Sequence, residues 1–394
     1  MTSLATTPKL AATFADELET LDLAGLADHA RSATAGDVDV ALGRADGHRT
    51  LADAAALLSP AATRRLEDLA QAAHQLTVRR FGRTVHLFAP LYVSNECLST
   101  CTYCGFAKNL DIRRRTLMMP ELEHEAAQLT SQGFRHLLLV SGEHIKAVSP
   151  AYLEQCLELL RDKVPSITIE TQVWSDEVYQ QLAAAGCDGV VIYQETYDHD
   201  TYRQVHVAGM KRREGFRLAG PERAADAGMR RLGIGALLGL HDDWRAEVLA
   251  TLAHARYLMR RFWRTEVTVS FPRLRPSASG FQPQTETTDV DFAQLTCAAR
   301  LAAPDAGIVL STREDQDLRD GLLPMGVTHM SAGSHTEPGG YTSPDEATEQ
   351  FAISDDRSPA AFAAMLTERG YDPVWKDWSS SLAPGTSAER TGSI

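Results

Sequence analysis

The sequence predicts an α/β protein whose main part is a (β/α)8 TIM-type barrel, preceded by a helical N-terminal extension. From Val85 onward, short apolar stretches alternate with amphipathic ones, which is typical of parallel strands joined by helices. Eight apolar stretches are present, and eight strands close a barrel of this class. A chain of 394 residues with 44% hydrophobic side chains can also fill a core of this size. The predicted strands cover residues 85–93, 136–142, 167–173, 189–195, 231–240, 266–274, 307–313 and 327–333.

The chain is predicted to divide into three parts. Residues 1–84 are Ala-rich, with apolar side chains at helical spacing, and predict a helical segment that packs on the main domain. Residues 85–378 hold the barrel and its C-terminal elements. Residues 379–394 are polar and aperiodic, which indicates a disordered tail. Helices between the predicted strands are expected over residues 120–133, 150–163, 175–186, 244–262 and 289–303.

Charge and hydropathy narrow the class of partner. The formal net charge is −13, which argues against nucleic acid and anionic membranes as partners. No apolar run approaches the roughly 18 residues needed to cross a bilayer, and the first 25 residues lack the pattern of a signal peptide. We therefore expect a cytoplasmic protein that binds small molecules or other proteins.

Three of the six cysteines fall within eight positions. Cys97, Cys101 and Cys104 form a C-x3-C-x2-C motif directly after the first predicted strand. Three thiolates suit a four-iron cluster with one iron open to a chelating ligand. The alternative is a zinc site completed by His124 or His86, but structural zinc usually takes two ligand pairs and no second pair is present. The remaining cysteines are predicted to be buried, inert thiols: Cys156, Cys187 and Cys297.

Charged residues follow several predicted strands, where barrel enzymes carry their functional side chains. Glu143 follows the second strand and is able to accept hydrogen bonds from a ligand ammonium group. Gly142 before it is expected to bring the backbone close to that ligand. Glu195 ends the fourth strand, and Arg217 lies further along. The alternative interpretation is that each of these charged side chains lies on a loop and faces solvent.

Arg313, at the end of the seventh strand, is the predicted clamp for a substrate carboxylate. Its planar guanidinium matches a carboxylate through two parallel hydrogen bonds. Tyr92 on the first strand and Ser331 on the eighth are expected beside it, because closure of the barrel makes these strands neighbours.

Each of these three residues also has a structural interpretation. Tyr92 is then a core tyrosine and Ser331 a turn hydroxyl, while Arg313 pairs with its neighbours Glu314 or Asp315. In that case the clamp is expected at Arg273 or Arg275, on the SFPRLRP segment after the sixth strand.

A series of motifs along the chain resembles one enzyme family. In order they are PLYVSNECLSTCTYCGF, RRRTL, HLLLVSGEH, VVIYQETY, LGIGALLGL, SFPRLRP, LSTRE, PGGY, EQF, DDR and PVWKDW. With these motifs the sequence resembles the 2-iminoacetate synthases, which are tyrosine lyases of thiamine biosynthesis in the radical S-adenosylmethionine (SAM) superfamily. The resemblance runs from about Val85 to Trp378.

The resemblance implies two cofactors, a 4Fe-4S cluster on the three cysteines and SAM bound to its open iron. In that family a reduced cluster cleaves SAM, and the resulting radical takes a hydrogen atom from L-tyrosine. The Cα–Cβ bond then breaks to give 2-iminoacetate and, after reduction and protonation of the aryl fragment, p-cresol. Thiazole synthase and a flavodoxin-type or ferredoxin-type electron donor are the implied partners. The residues implied to contact SAM are Tyr103, Glu143, Glu195 and Arg217, with the GALLGL segment (235–240) beside the adenine.

Other relatives fit the sequence less well. The hydrogenase-maturation tyrosine lyase carries a second cluster on C-terminal cysteines, whereas the last cysteine here is Cys297. Enzymes like biotin synthase need further cysteines or an Arg to hold a sacrificial second cluster, whereas the spare cysteines here are predicted to be buried. A tryptophan lyase of a specialised pathway remains open as the alternative activity. A non-catalytic iron–sulfur redox sensor is the alternative of another class, but it leaves Glu143, Glu195, Arg217 and Arg313 without a task.

Overall fold

Eight parallel strands close into a barrel in the computed structural model, which describes residues 12–376. Neighbouring strands follow chain order, and pairing of the first strand with the last, from His86↔His329 to Phe88↔Ser331, closes the ring. The predicted (β/α)8 barrel is therefore confirmed. The strands are β1 Thr84–Ser94, β2 His136–Ser141, β3 Ser166–Glu170, β4 Gly189–Glu195, β5 Arg231–Ala236, β6 Glu266–Ser270, β7 Gly307–Leu310 and β8 His329–Ser331.

Several strands end earlier than the apolar pattern predicts. β5 ends at Ala236 rather than at residue 240, and Gly239 then turns the chain with a φ of +101°. β6 ends at Ser270 rather than at residue 274, because Pro272 has no N–H to donate to the ladder. The apolar side chains beyond these ends belong to loops on the C-terminal face of the barrel, which is the face that carries the cysteines.

Short helices precede the barrel and share its hydrophobic core. Thr13, Thr34 and Thr50 each cap a helix and exchange hydrogen bonds with an aspartate three residues later, a sequence-encoded helix start. Gln294, on an outer helix of the barrel, donates to the backbone carbonyls of Leu57 and Ser59 in the N-terminal helical segment, each at 2.9 Å. The helices are α1 Phe14–Thr20, α2 Leu23–Ser32, α3 Ala35–Gly43, α4 Leu51–Leu57, α5 Pro60–Thr63 and α6 Leu66–Phe81.

All five helices predicted between the strands are present. The other helices that follow β1 are not predicted. Except for Pro359–Glu368 they have seven residues or fewer, about two turns, and carry little periodic signal. From residue 119 onward the α-helices are α7 Met119–Ser131, α8 Pro150–Leu160, α9 Asp176–Ala184, α10 His199–Val205, α11 Glu214–Leu218, α12 Gly220–Asp226, α13 Trp244–Arg261, α14 Asp289–Ala302, α15 Gln316–Leu322 and α16 Pro359–Glu368. Nowhere between residues 12 and 376 does a helix combine the length and apolarity that a membrane span requires.

Two further pieces of chain complete the C-terminal face of the barrel. Short antiparallel strands pair Thr100–Cys101 with His206–Ala208. Residues 348–355, here called the closing segment, cross the face between β8 and α16. Their backbone amides bond to loops that follow four different strands, β1, β6, β7 and β8, through the acceptors Arg113 O, Pro276 O, Thr312 O and Thr336 O. A third added strand, Asp372–Val374, pairs with the start of β1.

A buried ion pair anchors the closing segment. Asp355 is fully buried and pairs with Arg319 of α15, which also donates to the carbonyl of Ser331 at the end of β8. Arg357 donates to the same carboxylate at 2.6 Å. The segment is therefore held to the strand that carries a predicted substrate-binding residue. The predicted tail, residues 379–394, lies outside the described residues.

We expect Asp355→Ala to lower the free energy of unfolding by about 3–5 kcal/mol, because it leaves Arg319 buried without its carboxylate. Urea unfolding followed by circular dichroism measures the change. The exposed neighbour Asp356 provides the matched control, and Asp356→Ala should stay within about 0.5 kcal/mol of the unsubstituted protein. Equal losses in the two variants would contradict this role for the buried pair.

Candidate active site

The loop after β1 presents the three clustered cysteines on the C-terminal face of the barrel. Cys97 and Cys101 are buried and Cys104 is half-buried, and all three are free thiols. The backbone amides of Ser99 and Phe106 point at the sulfurs of Cys97 and Cys104, each at 3.4 Å. Burial, with a smaller effect of the nearby Cys104, raises the pKa of Cys97 to about 11. Thiolates here therefore need a cationic centre to stabilise them.

This donor set fits an iron–sulfur cluster better than a single metal ion. Within residues 12–376, no three His, Cys, Asp or Glu side chains converge on one ion position. Ligands of a four-iron cluster must stand further apart than ligands of one ion, and N–H···S bonds to the thiolates are typical of such sites. His86, a suggested zinc ligand, stacks on His329 instead, with ring centroids 4.7 Å apart.

Gly142 lets the end of β2 lie directly against the cysteine loop. A Cβ atom at this position would be 2.4 Å from the carbonyl oxygen of Glu96 and 3.1 Å from the Cβ of Cys97. The amide of Leu98 also donates to the carbonyl of Glu143 at 2.8 Å. The sequence predicts that Gly142 brings the backbone close to a ligand, but its described neighbours belong to the cysteine loop.

Four buried charged side chains form a network beside this loop, the charge network of Glu143, Glu195, Lys211 and Arg217. Arg217 donates to Glu143 at 3.0 Å and lies 3.8 Å from Glu195, while Lys211 donates to Glu195 at 2.6 Å. None of the four side chains is more than 14% exposed. Glu143 also accepts a hydrogen bond from Ser99 in the cysteine loop at 2.9 Å. The structure thus brings together three predicted SAM-contacting residues and adds Lys211, which the sequence did not single out.

Glu195 occupies a strained backbone position within the network. Its φ is +75°, a left-handed conformation that is costly for a residue other than glycine and that is common at functional sites. Burial acts to raise the pKa of its carboxyl group, but Lys211 and Arg217 outweigh burial and hold the pKa below its usual value. Glu195 is therefore ionised at neutral pH.

Tyr103, also predicted to contact SAM, is buried and lines the barrel cavity beside Lys211 and Cys104. Its hydroxyl shares a hydrogen bond of 3.0 Å with Nε2 of His206, and the ammonium of Lys211 lies 5.7 Å from its ring centroid. Burial and the cations Lys211 and Arg217 together lower the pKa of His206 to about 2, so the imidazole is neutral.

The barrel encloses a cavity directly below the cysteine loop. The three residues predicted to bind substrate, Arg313, Tyr92 and Ser331, all line it, together with Cys104 and Glu195. The hydroxyl of Ser331 accepts a hydrogen bond from the amide of Thr312 at 3.2 Å, which leaves its own proton available. The cavity is therefore lined both by a predicted metal ligand, Cys104, and by the predicted carboxylate clamp, Arg313.

Arg313 has no hydrogen-bonding partner for its guanidinium in the described part of the chain. The group stacks on the ring of Phe351, 3.3 Å from the centroid. The proposed structural partners are engaged elsewhere: Glu314 pairs with Arg273 and Arg275, and Asp315 caps α15. The ion-pair interpretation of Arg313 is therefore wrong, and both alternative clamp arginines are already neutralised.

The closing segment reaches into the site with Gln350 and Phe351, two residues of the EQF motif to which the sequence analysis assigns no role. Tyr92 donates to the side-chain oxygen of Gln350 at 2.8 Å, and the Gln350 amide approaches the sulfur of Cys104 at 3.7 Å. Burial raises the pKa of Tyr92 well above its usual value, so the phenol stays protonated. Gln350 thus links a predicted substrate residue to a predicted cluster ligand.

The other three cysteines are buried, as predicted. Burial raises the pKa of each thiol to about 12, so they remain protonated and unreactive. They are Cys156, Cys187 and Cys297.

Comparison with known proteins gives consistent matches along the chain. Residues 91–253 match the model of the Radical SAM superfamily, and residues 270–372 match the Biotin and Thiamin Synthesis associated domain. The 2-iminoacetate synthase of Escherichia coli K12 is 42% identical over 94% of this chain and 98% of that protein. Its counterpart in Salmonella typhimurium LT2 is 41% identical over the same shares. The crystal structure of HydG, a maturase of the FeFe-hydrogenase, has a TM-score of 0.83 at 30% identity, covering 90% of this chain and 79% of that one.

We expect Cys101→Ala to lose most of the iron and sulfide that the unsubstituted protein takes up on anaerobic reconstitution, because two thiolates do not hold a four-iron cluster. Iron and acid-labile sulfide assays and the visible absorption spectrum measure the loss. Cys156→Ala, which removes a buried thiol outside the loop, should keep the full content. Normal iron and sulfide in Cys101→Ala would show that the loop does not hold the cluster.

Proposed function

The chain belongs to the 2-iminoacetate synthase family of the radical SAM superfamily, and we propose on this basis that it cleaves the Cα–Cβ bond of L-tyrosine to 2-iminoacetate and p-cresol. The observation that carries this proposal is the cavity shared by the cysteine loop and the unpaired guanidinium of Arg313. A buried cation without a partner is unfavourable unless a ligand carboxylate completes it. An amino acid supplies that carboxylate.

The cofactors of this superfamily are a 4Fe-4S cluster and SAM, which supply the radical chemistry that no side chain provides. Cys97, Cys101 and Cys104 would hold the cluster. The charge network lies beside it, where Glu143 and Glu195 offer acceptors and Arg217 a donor to the polar groups of SAM. Lys211 balances the second carboxylate of the network, so the site carries no net charge before SAM binds.

The substrate residues position the α-carbon. Arg313, held flat against Phe351, is oriented to donate two parallel hydrogen bonds to the substrate carboxylate. Ser331 has a free hydroxyl proton to donate to the same group. Tyr92 uses its proton on Gln350 and is left with an acceptor oxygen. The closing segment covers this end of the cavity, and exclusion of water protects an imine product from hydrolysis.

The same proposal extends to the partner proteins of the enzyme and to its location in the cell. A labile imine favours direct transfer to the next enzyme, and the match to a Biotin and Thiamin Synthesis associated domain supports thiazole synthase as that enzyme. A flavodoxin-type or ferredoxin-type protein would reduce the cluster. Free thiols at all six cysteines suit the reducing environment of the cytoplasm.

Product analysis under anaerobic conditions tests the proposed activity. The reconstituted protein is incubated with SAM, dithionite and equal amounts of tyrosine and tryptophan. Formation of 5′-deoxyadenosine and p-cresol, with tryptophan unchanged, is the expected result. Consumption of tryptophan would assign the chain to the tryptophan lyases. If no 5′-deoxyadenosine forms, the protein does not cleave SAM, and the non-catalytic iron–sulfur redox sensor becomes the better interpretation.

We expect Arg313→Lys to uncouple SAM cleavage from tyrosine cleavage. Lysine keeps the charge but loses the planar pair of donors, so tyrosine binds out of place, and an error of about 1 Å costs on the order of a hundredfold in rate. In one anaerobic time course, p-cresol should fall much further than 5′-deoxyadenosine. Arg275→Lys, which alters an arginine already paired with Glu314, is the control and should keep the ratio. An equal fall of both products in Arg313→Lys would make Arg313 structural.

A further inference from the structure

A second unpaired charge faces the same cavity as Arg313. Glu170 is the last residue of β3, and its side chain lines the cavity. Among the described residues its carboxylate forms no hydrogen bond or ion pair, and Arg313 is not within ion-pair distance of it. Burial and the nearby Glu195 raise the pKa of Glu170 to about 7, against the opposing effect of Arg313.

The other charged groups around the cavity are compensated. Glu195 is paired with Lys211, and Arg275 with Glu314. At the far end of the cavity Arg231 donates to Glu266 at 2.9 Å. Among the described residues, Glu170 and Arg313 are therefore an anion and a cation without partners, whereas the other charges around the cavity are paired.

The positions of these two residues fit the two charges of a free amino acid. β3 and β7 are four strands apart in the eight-stranded ring, so Glu170 and the residue that follows β7 lie on opposite sides of the barrel axis. A single α-amino acid carries a carboxylate and an ammonium on one carbon and can compensate both. A ligand with only one of these charges leaves the other side chain uncompensated.

We propose that Glu170 binds the ammonium group of the amino-acid substrate while Arg313 binds its carboxylate. This inference rests on the proposed function and makes it more specific, because it assigns the recognition of a free α-amino group to one residue. The two contacts hold the α-carbon from opposite sides, with its hydrogen-bearing nitrogen at a fixed place in the cavity.

Titration of Glu170 gives the proposal a pH signature. Only the ionised carboxylate attracts an ammonium group, so tyrosine affinity should fall as the pH drops below about 7. The charged or titratable groups that face Glu170 are Tyr92, Tyr193, Glu195, Lys211, Arg217 and Arg313. The tyrosines stay neutral, and Glu195, Lys211 and Arg217 stay charged over this range. His136 on the neighbouring strand β2 lines the same cavity, and the loss of the pH effect in Glu170→Gln separates the titration of Glu170 from that of this histidine.

The test compares two ligands that differ only in the amino group, L-tyrosine and 3-(4-hydroxyphenyl)propionate. Equilibrium dialysis uses the anaerobically reconstituted protein with SAM but without reductant, so that no turnover occurs. In Glu170→Gln, tyrosine affinity should fall roughly tenfold to a hundredfold, the effect of losing a charge-assisted hydrogen bond. Affinity for the propionate should be unchanged or higher, because the variant removes an uncompensated carboxylate.

Two further variants separate recognition from folding. Glu170→Asp keeps a carboxylate and should retain both a preference for tyrosine over the propionate and the loss of affinity at low pH, whereas Glu170→Gln should lose both. Glu349→Gln, an exposed carboxylate on the closing segment, should behave like the unsubstituted protein. Equal weakening of both ligands in Glu170→Gln would overturn the proposal. Failure of the unsubstituted protein to bind tyrosine at all would instead overturn the proposed function.

Discussion

The site depends on the compensation of charge among side chains that the barrel largely buries. Glu143 comes from the loop after β2, whereas Glu195, Lys211 and Arg217 come from the end of β4 and the connection that follows it, and each is buried because the others are present. Loss of one partner from such a network leaves a buried charge, which costs far more than the pair contributes. Since Glu143 also bonds to Ser99, the network holds the cysteine loop in place as well as the polar groups around it.

Close backbone contacts fix the same loop from three sides. Gly142 brings the end of β2 against it, and Gly209 brings the 206–210 segment so close that a Cβ would lie 2.5 Å from Ser99. On the third side, a Cβ at Gly105 would meet the carbonyl of Gln350 at 2.3 Å. Larger residues at these positions would push the supporting elements apart. The thiols therefore stand on a loop whose shape is set by backbone packing, which suits the positional precision that radical chemistry requires.

Sequence periodicity was sufficient to predict the barrel, since every strand and long helix carries its own local signal. Contacts between distant segments were not predictable in this way. Lys211 lies in the polar run MKRR and has the appearance of a solvated surface charge, until the fold places it on Glu195. Glu170 lies within the predicted strand 167–173, and only the barrel register shows that it faces the cavity. Gln350 meets Cys104 across 246 residues of chain, a separation that no local pattern reports.

Paired and unpaired charges have different tasks in this interior. The paired ones build and hold the site, while Arg313 and Glu170 remain available for a ligand. If those two side chains hold the carboxylate and the amino group, two of the four substituents of the α-carbon are fixed to the barrel wall. The Cα–Cβ bond can then break while the carboxylate stays on Arg313 and the amino group stays on Glu170. This arrangement favours cleavage of the Cα–Cβ bond over loss of the carboxylate, because the transition state for carboxylate loss would disturb the strongest interaction that the cavity offers.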